Sequence, residues 1–136
     1  MKVMSIDLGD VRTGVAVSDV TGFLAGRSMT ITQRDRDKLL EEILVLIEKE
    51  KPGEVVLGLP VNMDGTEGPR AEKSRIFGDR LHEACGLPVI YMDERGSSIS
   101  ANRILSDAGK KRGKQRAQVD AVAAAIILQN YLDSKR

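Results

Sequence analysis

Residues 3–18 read VMSIDLGDVRTGVAVS, and this stretch decides the fold. Val3 to Leu8 is apolar except at Ser5 and Asp7 and stops at Gly9, the pattern of a central strand ending in a tight connection. Val15 to Ser18 reads as its hairpin partner, with residues 10–14, DVRTG, as the loop between them. A third short strand, Ser28 to Thr32, follows a turn at Thr21 and Gly22, which completes an antiparallel meander. One residue sits oddly in this pattern. Asp7 lies inside a strand otherwise built to be buried, where a carboxylate is costly unless a cation or backbone N–H groups compensate it.

Downstream, the hydrophobic period changes from two to about three and a half. From Asp35 to Glu50, Leu39, Leu40, Ile43, Leu44, Leu46 and Ile47 recur at helical spacing. Lys51, Pro52 and Gly53 end that helix, and EVVLGLP, residues 54–60, is a continuous apolar run of the kind found in strands covered on both faces. VNMDGTEGP, residues 61–69, is rich in turn formers and long for a simple connection, which marks a functional loop above the strand end. Pro69 suits the first turn of the next helix, which is expected to bury Ile76, Phe77, Leu81 and Ala84 and to stop at Gly86. LPVIYMDE, residues 87–94, is a further strand. A serine at 97 or 98 can cap a helix that carries Ala101, Ile104, Leu105 and Ala108 and closes at Gly109. After a basic loop, a last helix is expected from about Ala117 to Asp133, with Val119, Val122, Ala123, Ile126 and Ile127 as its apolar flank. The expected architecture is α/β: a mixed five-stranded sheet, three strands antiparallel and then two parallel, flanked by helices in a single domain over residues 1–136.

Composition narrows the chemistry. With 41% hydrophobic and 30% charged residues the 136-residue chain is of globular type, and no apolar run approaches the roughly 18 residues of a membrane span. The start, MKVMSIDLGD, puts Asp7 where a signal peptide would have its apolar region, so a cytoplasmic location and no membrane partner are expected. Cys85 has no partner for a disulfide or a zinc site and reads as a buried packing residue; His82, the sole histidine, rules out histidine metal clusters. Aromatics make up only 3% of residues, which disfavours capture of single strands by base stacking. The net charge of +1 is small, but Lys110, Lys111, Arg112, Lys114 and Arg116 crowd one stretch, GKKRGKQR, just before the last helix. Cations so placed can hold a nucleic-acid backbone without reading its sequence, and Arg12 and Arg70, in loops over the strand ends, extend that surface.

Three acids stand where a shared site can form: Asp7 on the first strand, Asp93 or Glu94 at the end of the last strand, and Asp120 in the final helix. Taken alone, Asp7 also reads as an acceptor for the glycine-rich turn and Asp120 as a helix-dipole complement. Carboxylates from separate elements, without histidine, match hard oxygen-liganded cations such as Mg²⁺ or Mn²⁺. A pair of such ions can deprotonate a water, stabilise charge on a phosphate and support the leaving oxygen, so no side-chain nucleophile is required.

Four segments, SIDLGDVRTGVAVSD (5–19), VLGLPVNMDGTEGPRA (56–71), DERGSS (93–98) and QVDAVAAAIILQNYL (118–132), together resemble the YqgF or RuvX family of Holliday junction resolvases over essentially the whole chain. The resemblance implies a ribonuclease-H-like fold, a metal-dependent nuclease activity in maturing the precursor of 16S ribosomal RNA, and an alternative role in resolving four-way DNA junctions. It also implies that the family's first-strand aspartate falls on Asp7, the glutamate of its DER motif on Glu94 and its last-helix aspartate on Asp120, with Arg95 placed to hold a phosphate or position Glu94. Where the family continues DER with a leucine and two threonines, this chain has Gly96, Ser97 and Ser98. The expected partner is structured RNA or branched DNA, and resolution of junctions would call for a homodimer. Two other functions compete: a non-catalytic nucleic-acid-binding assembly module, suggested by the modest net charge, and ATP binding, suggested by the likeness of DLGDVRTGVA to the phosphate loop of actin-like ATPases.

Overall fold

A computed structural model describes residues 1–93 and 112–135, with the side chains of 112–120 left aside. Five strands form one sheet: β1 (Val3–Asp7), β2 (Arg12–Ser18), β3 (Ala25–Thr32), β4 (Glu54–Leu59) and β5 (Val89–Asp93), in the spatial order β3-β2-β1-β4-β5. β1 pairs antiparallel with β2 and parallel with β4, so it is the central strand, as its apolar sequence predicts. The expected mixture of three antiparallel and two parallel strands is what forms. β2 begins at Arg12, inside the segment expected to be loop, because Arg12, Thr13 and Gly14 pair with Thr32, Ile31 and Thr30 of β3, while the ladder with β1 ends at Asp7 opposite Gly14.

Helices cover both faces of the sheet. α1 (Arg36–Glu50) and α2 (Pro69–Cys85) lie on one face, and α3 (Arg112–Ser134) on the other. Asp35 caps α1 by accepting hydrogen bonds from the backbone N–H groups of Asp37 and Lys38, which satisfies two of its unpaired donors. Gly86 ends α2 in the left-handed conformation, as expected of a glycine at that position. The strands' two-residue period separates two cores. Ile6, Leu8, Val55 and Leu57 pack with Leu39, Ile43, Phe77 and Leu81 on the α1/α2 side. Val3, Ala16 and Val56 pack with Ala124, Ile127, Leu128, Tyr131 and Leu132 on the α3 side.

The structure corrects three sequence expectations. α2 does not bury Ile76 and Ala84; its inward stripe is Ala71, Ser74, Phe77, Gly78 and Leu81, and Ile76 is 55% exposed. The small residues are selected there by close approach: a Cβ on Gly78 would lie 3.1 Å from Leu57 Cδ2 and closer still to the Tyr91 ring. α3 is already helical at Arg112, the first described residue of this part of the chain, rather than from near Ala117, so Arg112, Lys114 and Arg116 belong to the helix and not to a loop. Lys, Arg, Gln and Ala all favour helix, and Gly113 alone does not stop it. Cys85 is half-buried at the edge of the α1/α2 core rather than fully enclosed. The helix expected between 97 and 109 lies outside the described residues, as do Glu94, Arg95, Lys110 and Lys111.

Candidate nucleic-acid site at the strand ends

Asp7 is the last residue of the central strand, half-buried, at the end of the sheet where β1, β4 and β5 finish. The pairing register shows which face it belongs to. Asp7 is opposite Gly14, and Val3 and Ser5, two and four residues earlier, belong to the α3 side. On β4, Val56 packs against α3; Gly58, two residues on, stands level with the end of β1 and pairs with Met92 of β5. Ile90 and Met92 pack against the α3 core, which sends Asp93 to the α1/α2 face. Of the two acids left open by the sequence, Asp93 is therefore on the wrong side of the sheet to join Asp7. Glu94 follows it beyond the described residues.

A buried hydrogen bond fixes how α3 lies across this face. Ser5 Oγ donates to the Ala124 carbonyl at 2.7 Å, and at the other end of the helix Tyr131 Oη donates to Glu54 Oε1 at 2.9 Å. Glu54 stands beside Val3, so α3 runs antiparallel to β1. From Ser5 to Asp7 the strand advances about 6.6 Å. From Ala124 back to position 120 the helix advances about 6 Å. Position 120 is consequently level with Asp7, on the turn that continues the sheet-facing positions 124, 128 and 131. It is also the ninth residue of α3, beyond the first turn where a helix dipole acts, which removes the dipole-complement reading of Asp120.

The connection after Asp7 leaves no room for side chains. A Cβ on Gly9 would fall 1.9 Å from the Arg12 carbonyl oxygen, and the Gly9 N–H is directed at Thr13 Oγ1 at 3.4 Å. Arg12 opens β2 on the same face as Asp7, since it is two residues from Gly14, and it is half-buried rather than displayed in a loop. Arg70 lies exposed in the first turn of α2, where it lines a small cleft with Leu8, Asp10, Pro60, Lys73 and Ser74.

The 61–69 segment is an ordered turn. Asn62 N–H donates to the Thr66 carbonyl and Asn62 Nδ2 to Thr66 Oγ1, while Asp64 Oδ1 accepts from both the N–H and the hydroxyl of Thr66. Gly65, at φ 91°, makes the reversal. Glu67 is gripped by Arg75 through two hydrogen bonds, 2.7 and 2.9 Å, which hold its carboxyl below the usual glutamate range. The polar side chains of this loop are largely spent on its own shape.

Sequence reasoning missed a second group of cations. Arg34, Arg36, Lys73 and Arg80, with Asp10, Ile76 and Phe77, line an open groove of about 350 Å³ between the start of α1 and α2. One signal was available: Lys73, Ile76, Phe77 and Arg80 fall at i, i+3, i+4 and i+7, a single face of α2. Among the described residues no three of histidine, cysteine, aspartate or glutamate come together as a metal cluster, and no helix is long and apolar enough to cross a membrane.

The family model described as RuvX, Holliday junction resolvase, matches residues 1–134. A relative from Halothermothrix orenii, named "Putative pre-16S rRNA nuclease", is 44% identical over 133 residues, covering 98% of this chain and 95% of its own. Among solved structures, Thermus thermophilus RuvC in complex with a Holliday junction substrate superposes with a TM-score of 0.62 at 16% identity, covering 99% of this chain and 95% of that one. The fowlpox virus resolvase, solved with Holliday junction DNA, gives 0.64 at 13% identity, with 99% of both chains covered. At such identities these two structures speak for the fold, which is the ribonuclease-H-like one.

Proposed function

The chain belongs to the RuvX family, and from that premise we propose that it is a nuclease that hydrolyses phosphodiester bonds in precursor 16S ribosomal RNA, with Asp7, Glu94 and Asp120 as its metal-binding acids. The observation that carries the reading is the Ser5–Ala124 hydrogen bond, which brings position 120 level with Asp7 on one face of the sheet. A carboxylate-only donor set without histidine suits Mg²⁺ or Mn²⁺, and bound there the ions supply an activated water and charge stabilisation at the scissile phosphate.

The chain's own residues do the positioning. The Gly9 turn fixes the end of β1, so that Asp7 is presented from the most constrained strand of the sheet. Arg12, on the same face as Asp7, is assigned to a phosphate near the scissile one. Arg112, Lys114 and Arg116, at the start of α3, with Lys110, Lys111 and Arg95 before them in sequence, are assigned to the phosphodiester backbone of the incoming strand, and Arg70 to its continuation.

A second reading is favoured by the folds on which junction substrates have been seen: cleavage of branched DNA by a twofold pair of these sites. Both readings are tested by incubating the protein with a precursor 16S fragment and with a four-way DNA junction, in Mg²⁺ and in Mn²⁺, beside Asp7→Asn and Asp120→Asn. We expect RNA cleavage by the parent and a loss of at least about a hundredfold in each variant, since a metal ligand is worth several kcal/mol to the transition state. Cleavage of the junction alone, by protein that sediments as a dimer, selects the second reading. Binding of either substrate with no cleavage in either metal overturns both in favour of an assembly module.

A further inference from the structure

We infer that the groove between α1 and α2 is a second binding track for the phosphate backbone of a nucleic-acid duplex, on the face of the sheet opposite the proposed acids; the inference rests on the nuclease reading for what passes between the two.

The groove is a cationic surface whose charges are only partly used within the protein. Arg80 donates to Asp37 at 2.6 Å, and Arg36 donates to the Gly9 carbonyl at 2.8 Å and approaches Asp10 at 3.6 Å. Arg34 and Lys73, which line the groove, and Arg70 beside it make no ion pair among the described residues, and all three are exposed. This contrasts with Arg75, two residues after Lys73 on the same helix, which is held by Glu67. Unspent guanidinium and ammonium groups, held in place by neighbours that are themselves tied down, are what a polyanion replaces its counterions with.

Position gives the groove its ligand. α1 and α2 both begin at the end of the sheet where β1 finishes, and Arg36 is tied to the carbonyl of Gly9, two residues beyond Asp7. The basic start of α3 approaches the same end from the other face. A backbone held by α3 and crossing the strand ends past Asp7 meets Arg70, Lys73 and Arg34 next. The groove opens to solvent, and its walls contain no aromatic ring other than the buried Phe77, so contact is with phosphate and sugar rather than with stacked bases.

The test is the salt dependence of binding, measured by fluorescence anisotropy on the full chain in EDTA with a labelled RNA duplex and a DNA duplex of the same sequence. Arg34→Gln/Lys73→Gln is compared with the parent and with Lys49→Gln, an exposed cation at the far end of α1. We expect the double variant to weaken binding of both duplexes about tenfold at low salt and to lower the slope of log K against log salt by about 1.5–2, two phosphate contacts' worth, with Tm unchanged and Lys49→Gln without effect. An unchanged slope overturns the groove, as does an equal loss in Lys49→Gln or a parent that binds neither duplex in a salt-dependent way. The two readings fail separately. Cleavage abolished by Asp7→Asn with an unchanged slope leaves the nuclease and removes the groove; a lowered slope in a protein that cleaves nothing leaves the groove and removes the nuclease.

Discussion

The two ends of the sheet use the same residue types to opposite effect. At the end where β1 begins, Glu50 and Glu54 are both more than nine-tenths buried, and each is closed off by cations. Glu50 takes Lys2 at 3.4 Å and a short bond from Arg27; Glu54 takes Lys135 at 2.8 Å and the Tyr131 hydroxyl. At the end where β1 finishes, Asp7 sits on one face while Arg34, Arg70 and Lys73 sit on the other, without carboxylate partners among the described residues. Charges that neutralise one another at close range hold a fold together but recruit nothing. Arg34, Arg70 and Lys73, which make no ion pair among the described residues, remain available to a phosphate chain.

The contrast breaks if substitutions at the two ends have the same phenotype. Asp7→Asn is expected to show the largest effect, a loss of at least about a hundredfold in cleavage with Tm nearly unchanged, checked by cleavage kinetics beside thermal melting. Gly9→Ala comes next. A Cβ 1.9 Å from a backbone carbonyl forces the turn to move, costing about 1–3 kcal/mol in chemical denaturation and lowering turnover by displacing Asp7. At the closed end the pattern reverses: Tyr131→Phe is expected to cost about 1–2 kcal/mol of stability, measured by urea unfolding, because the Glu54 carboxylate loses a buried donor. A Tyr131→Phe protein of parental stability would show that the closed end is not a structural lock.

The smallest effect is the one that sharpens the comparison. The hydrogen bond from Arg27, supported by Lys2, holds the Glu50 carboxyl below its ordinary value despite the opposing cost of burial. A depressed folded value means that this carboxylate's stabilisation is complete above the unfolded value, about 4.3, and disappears as pH falls through the folded one. The Tm gap between the parent and Glu50→Gln should therefore be constant near neutrality and close progressively below about pH 4.3. A gap that widens in acid would mean that the ion pairs do not stabilise the fold.

Much of this was legible in the amino-acid sequence, for identifiable reasons. β1 announced itself because a strand covered on both faces tolerates few polar residues, so Asp7 stood out against Val3, Met4, Ile6 and Leu8. Alternation alone left Asp93 and Glu94 open, because it gives two faces but not which one meets α3; the Gly58–Met92 pairing puts Asp93 on the α1/α2 face, and Glu94 lies outside the described residues. The inward face of α2 was misread because hydropathy rewards Ile76 and ignores Ser74 and Gly78, whose merit is small size. The start of α3 was misread because a cluster of cations resembles a loop until the helix propensity of Lys, Arg and Gln is weighed. The groove was only half legible: Lys73, Ile76, Phe77 and Arg80 mark one face of α2, but Arg34 and Lys73 are 39 positions apart by their numbers and meet only through the packing of α1 beside α2.

The single hydrogen bond from Ser5 also makes α3 a lever. Below this fulcrum the helix runs seven residues to Tyr131, about 10.5 Å; above it, four residues to position 120, about 6 Å. If the Tyr131 and Lys135 anchors slackened by 1 Å, a rigid helix would swing its upper arm the other way by about 0.6 Å, a displacement of the order that matters to ligands around a metal ion. Substitutions at the far end of the molecule, with no contact to nucleic acid, can thus change the rate of cutting through leverage alone.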